Sequence, residues 1–173
     1  MRLFHVSEEA QIERFVPRIP QRDDLDKNIG LVWAIDEARL PNYLLPRNCP
    51  RVTYHIGKNT NESDMKKFFS SPGHVHTVVV EGRWYETIKK TTLYVYEFHT
   101  DDFVLQDDVA GYYVSTSVQV PKAKYTITDL FTELINRHVE IRIVDNLWPL
   151  AEEVKASTLN WSLCRMAYAQ PKA

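Results

Sequence analysis

No stretch of this sequence keeps a helical period beyond the thirteen residues of TITDLFTELINRH at 126–138. Around it, short runs with the two-residue period of a strand recur along the whole chain, each cut off by proline, glycine or clustered polar residues. A doubly wound sheet needs a long helix after nearly every strand, and a helical bundle needs long helices throughout, so this patterning leaves an α+β architecture. We expect a single domain over residues 1–173, with a mixed, mostly antiparallel sheet of seven or eight short strands and four or five short helices.

The expected order is as follows. RLFHV at 2–6 reads as a strand, and SEEAQIERF as a helix with Ser7 as N-cap, ended by Pro17 and Pro20. RIPQRDDLDKN is a loop, residues 31–35 a buried strand, and DEARLPNYLL a helical turn closed by Pro41 and Pro46. RVTYHI alternates as a strand, NTNESDMKKFFSSPG reads as a helix, HVHTVVVEG as a β-branched strand, RWYETIKK as a helical turn and TTLYVYEF as a strand. A loop with Asp101, Asp102, Asp107 and Asp108 precedes the strand YYVSTSVQV, which Pro121 ends. After the helix at 126–138 come the strand VEIRIVD, the helix LWPLAEEVKAS with Pro149 in its first turn, and TLNWSLCRMAYA as a last strand.

Composition narrows the function classes. Hydrophobic residues at 44% and charged residues at 25% are those of a globular chain, and a net charge of −2 gives no footprint for a nucleic-acid backbone or an anionic membrane. The expected partner is a small-molecule ligand or another protein. Cys49 and Cys164 are far apart and form no paired motif, which argues against a disulfide framework or thiolate metal site and fits a reduced, cytoplasmic setting. No leader-like pattern opens the sequence, and no apolar run approaches the roughly 20 residues of a membrane span.

Four groups of residues could carry chemistry. His74 and His76 face one way on a regular strand, and with Glu81 they give the spacing H-x-H-x4-E, which resembles the first motif of the cupin family and would make a metal-dependent enzyme the alternative reading. The family's glycines and its second histidine motif are missing here, and Glu81 falls on the opposite face, so no metal is assigned. In YVSTSV, Ser115 and Ser117 share a face with Tyr113 and Gln119, either as a hydroxyl-lined pocket wall or as the solvent side of a sheet. In PRNCPR, prolines fix the backbone around Arg47 and Arg51, which suits two forks aimed at phosphate or carboxylate, or simple surface solvation. Glu97 shares a strand face with Leu93, Val95 and His99, so it is either a buried partner of an arginine or a catalytic carboxylate. With five glycines in the chain, a P-loop or Rossmann dinucleotide site is not expected.

The order of a strand with FHVS, a helix starting EEAQIERF, a loop and then LVWAIDEARLPNYL resembles the opening of the ADP-ribosyltransferase fold. That resemblance covers residues 2–55 and implies NAD as cofactor, with His5 on the ribose and amide region and Tyr43 stacked on the nicotinamide. It also implies an acid on or after a later strand, for which Glu97, Asp108 and Glu140 compete. Stacking, fixed hydrogen bonds and a carboxylate that orients the ribose would suffice for such chemistry without a metal. Across the full length, LPNYLLPRNCPRV and NLWPL resemble an uncharacterised bacterial family of similar size. The functional expectation is a protein that binds NAD or a related nucleotide, with a non-catalytic ligand-binding or protein-interaction domain as the alternative.

Overall fold

A computed structural model describes residues 1–21 and 23–172. The chain is α+β, with ten strands in two sheets and four α-helices among the described residues. It divides into two compact units, each built from two separated segments: residues 1–40 with 93–127, and residues 41–92 with 128–173.

The first unit is one antiparallel sheet. Its strands are β1 (Leu3–Ser7), β2 (Val32–Asp36), β5 (Leu93–Phe98), β6 (Val104–Asp107), β7 (Tyr112–Ser115) and β8 (Ala123–Ile127), in the order β6-β7-β2-β1-β5-β8. Directly opposed residues point to the same side, so the register defines two faces. One carries Leu3, Val32, Ala34 and Phe98, which pack with Phe103 and the half-buried Phe15 and Tyr113 into a small core. The other carries Phe4, Ile35, Val95 and Glu97.

The second unit holds β3 (Arg51–His55), β4 (His76–Glu81), β9 (Glu140–Val144) and β10 (Asn160–Cys164) in the order β10-β3-β4-β9, antiparallel except for the parallel pair β4–β9. Helices α1 (Glu62–Phe68), α2 (Tyr85–Lys90), α3 (Leu130–Asn136) and α4 (Trp148–Lys155) all belong to this unit. Its core joins Val52, Tyr54 and Val79 of the sheet to Phe68 and Phe69 around the end of α1 and to Leu147, Ala151 and Val154 around α4. At the end of β4 the fully buried Glu81 carboxylate accepts from Arg83 Nε at 2.9 Å and from the Gln170 backbone N–H at 2.9 Å, which ties down the last residues of the chain.

The structure corrects several expectations. No helix follows β1 among the described residues. Ser7 Oγ accepts from the Glu9 N–H at 3.0 Å, a local turn that draws the backbone away from an N-cap. The strand expected over 112–120 stops at Ser115, because Ser115 Oγ accepts from the Ser117 N–H at 3.1 Å and turns the chain. α3 is capped by Asp129, whose side chain accepts from Thr132 N–H, and it stops at Asn136, followed by His138 at φ 57°. β6 and β8 lie in segments read as loop and helix start. None of the helices is long and apolar enough to cross a membrane, among the described residues.

Candidate functional site

The residues that were to form the first helix instead form an irregular strap, and the sheet beneath holds it. Tyr96 on β5 donates its hydroxyl proton to the Glu9 carbonyl at 2.6 Å and accepts from the Ile12 N–H at 3.2 Å. Lys124 on β8 donates to the Ala10 carbonyl at 2.7 Å. Backbone groups that a helix would pair four residues apart are thus satisfied by side chains from strands some 85 to 115 positions away. At the strap's end Phe15 forms a two-way bridge with Gln119 and packs its ring against His5 at 4.8 Å, Tyr96 at 5.3 Å and Phe98 at 5.0 Å. Tyr96→Phe removes both strap bonds at a buried position, and we expect it to cost about 1–2 kcal/mol in urea unfolding. A variant as stable as the parent would mean the hydroxyl holds nothing.

Between strap and sheet runs a groove of about 570 Å³, lined by Gln11, Ile12, Glu13, Tyr96, Lys122 and Lys124 among others. That volume lies within the range of small-molecule sites. The register sets His5 opposite Tyr96 and Tyr96 opposite Lys124, so imidazole, phenol and ammonium form one row across three strands on one face. His5 Nδ1 lies 3.3 Å from the Trp33 carbonyl oxygen. A carbonyl only accepts, so in this contact Nδ1 carries the proton.

Glu97 follows Tyr96 on β5 and therefore points to the other face, opposite Phe4 rather than His5. Arg2 grips it with both arms, Nε to Oε1 at 3.0 Å and Nη2 to Oε2 at 2.9 Å. Tyr125 donates to Oε2 at 2.8 Å, and Lys122 Nζ stands 3.1 Å from Oε1. The side-chain bonds from Arg2, with Tyr125 and Lys122, hold its carboxyl down at about 2 against the opposing effect of burial. Of the two roles the sequence left open for Glu97, this geometry is that of an arginine's partner. It also places Glu97 and His5 on opposite sides of one sheet.

The remaining candidates are distributed as follows. Ser115 is buried, and its hydroxyl also accepts from Gln119 Nε2 at 2.9 Å, whereas Ser117 is exposed beyond the strand. Tyr43, Arg47 and Arg51 belong to the second unit. Arg47 is exposed there, whereas the buried Arg51 donates Nε to the Asn42 carbonyl at 3.1 Å and Nη1 to the Pro46 and Cys49 carbonyls at 3.3 and 2.7 Å, with the Tyr43 ring 5.8 Å away. Burial is the largest influence on the guanidinium and lowers its pKa, and it pushes the Cys49 thiol up to about 12. His74 precedes β4 and bonds to Ser71 Oγ at 2.9 Å, while His76 is buried on the strand and donates Nε2–H to Asn42 Oδ1 at 2.7 Å. Among the described residues no group of three or more His, Cys, Asp or Glu side chains could hold a metal ion. Of the competing acids, Glu140 accepts from Ser70 and Arg142 in the second unit, and Asp108 lies between β6 and β7 in the first.

Tyr96, Lys122 and Lys124 belong to no motif. The alternation in PKAK at 121–124 sets both lysines to one side of an extended segment, yet Lys122 Nζ turns to Glu97 on the other face.

No curated protein and no solved structure matches the chain. The model of a family of unknown function, DUF6886, matches residues 4–169, and the chain belongs to that family.

Proposed function

We propose that the first unit binds a phosphate-bearing nucleotide of the NAD class in the groove beneath the 9–15 strap. The observation that carries this reading is the groove of small-molecule size that Tyr96 and Lys124 line beneath the strap, with His5 opposite Tyr96 in the register of the same sheet face. The Lys124 ammonium on the groove wall suits a ligand phosphate. The ADP-ribosyltransferase resemblance implies a ribose contact for His5, whose imidazole lies one strand inward against the Trp33 carbonyl. The reading rests on this unit alone.

Adding NAD at about 100 times its dissociation constant is expected to stabilise the protein by roughly 2.7 kcal/mol. For a chain of this length that is a rise of about 5–11 °C in the unfolding midpoint. Lys124→Ala should weaken the effect about tenfold in NAD concentration. A midpoint that does not move with NAD at millimolar concentration overturns the proposal.

The resemblance further implies transfer of ADP-ribose, which release of nicotinamide from NAD would report. The ion-paired state of Glu97 favours a second reading, binding without transfer, because a carboxylate held by Arg2, Tyr125 and Lys122 has little capacity to orient a ribose. Binding without nicotinamide release selects this second reading.

A further inference from the structure

The groove is not uniformly basic. Glu13 lies on the strap that forms one wall, while Lys122 and Lys124 come from the segment that forms the other. Lys122 is already committed in part to Glu97 at 3.1 Å, and Lys124 to the Ala10 carbonyl at 2.7 Å. With Lys122 paired to Glu97 on the other face, Glu13 and Lys124 are the opposed charges of the groove and leave no formal surplus. A phosphate monoester on the ribose adds about −1.5 to −2 near neutral pH, in a groove whose strap wall already carries the Glu13 carboxylate.

We propose that Glu13 determines specificity, making the groove select a dinucleotide with an unmodified ribose diol over its 2′-phosphorylated counterpart, NAD over NADP. An ionised carboxylate is an acceptor only, so it takes hydrogen bonds from the two hydroxyls of a vicinal diol. The same carboxylate offers a phosphate no donor and repels its charge. Glu13 is exposed, so its replacement leaves the packed interior untouched. The inference rests on the nucleotide reading of the same groove.

Calorimetric titration of the full chain with NAD and with NADP tests it. The parent should bind NAD at least about tenfold more tightly, and Glu13→Gln, which removes the charge and keeps the shape, should bring the two affinities within about threefold of each other. Glu13→Lys should reverse the order. Equal affinities in the parent, or a preference that Glu13→Gln leaves intact, overturn the role of Glu13 while nucleotide binding stands. Failure of both dinucleotides to bind overturns the nucleotide reading and this inference together.

Discussion

Replacing Arg51 by alanine is expected to destabilise the second unit by about 3–5 kcal/mol, the range for removing one member of a buried charged arrangement. Arg51 is 4% exposed, and its fork closes on three backbone carbonyls, those of Asn42, Pro46 and Cys49. These carbonyls come from the turn that leads into β3, a proline-rich segment unable to satisfy them through a ladder of its own. The Pro46 carbonyl keeps the Cys49 N–H at 2.9 Å, so the truncation costs about 1–3 kcal/mol at each of the Asn42 and Cys49 carbonyls and opens a cavity where the side chain was. Because Asn42 also accepts from His76 through its side chain, the loss should spread to the start of β4. Arg51→Lys should recover only part of the stability, since one ammonium cannot reproduce a planar fork aimed at three oxygens. Urea unfolding measures both variants. A loss below about 1 kcal/mol for the alanine variant would show that water replaces the guanidinium at no great cost, which its burial argues against.

Arg51 also shows where the sequence was legible and where it was not. PRNCPR announced two arginines on a constrained backbone, and the constraint is there, but whether a guanidinium points outward to an anion or inward to carbonyls depends on how the turn closes. Strands β3, β4 and β5 were readable because each is rich in apolar residues and buried on at least one face, and β9 because Ile141 and Ile143 alternate with polar residues although the strand is only half-buried. β6 and β8 were not. Their side chains are mostly exposed, with Val104 65% and Tyr125 44% accessible, so burial leaves little pattern on them.

The false helix at 7–15 is more instructive. Its local signals are sound: a serine, acids in the first turn, Ile12 and Phe15 at helical spacing. What overrides them is tertiary, because Tyr96 and Lys124 take the backbone groups that the helix would use. Short helices are marginal without tertiary support, so three side-chain bonds and the Phe15 packing are enough to decide. For the same reason the candidate site could not be assembled from motifs. His5, Tyr96 and Lys124 meet only through the pairing of β1 with β5 and β5 with β8, a register that spans more than a hundred residues of chain.

The Glu97 network makes stability depend on pH in a definite direction. Its carboxyl sits at about 2 in the folded protein, below the ordinary value of 4.5, chiefly because Arg2 bonds to the ionised form. A group held below its unfolded value contributes stability that is complete above the unfolded pKa and is lost as pH falls through the folded one. The contribution should therefore be whole at pH 5–7, decline below about pH 4.5 and be nearly gone at pH 2. Glu97→Gln isolates it. The amide fits the same space but cannot accept from Arg2, Tyr125 and Lys122 as a charge, and it turns its own NH₂ toward donors. Arg2 is 43% exposed, so solvent screens part of the ion pair, and the expected loss at pH 7 is about 2 kcal/mol rather than the larger penalty of a fully buried pair. Urea unfolding of parent and variant at pH 7, 4 and 2 should give a gap that narrows toward acid as the parent's own carboxyl takes up its proton. A gap that keeps its size down to pH 2 would mean that Glu97 acts through shape and packing, and that the charge held by Arg2 contributes nothing to the fold.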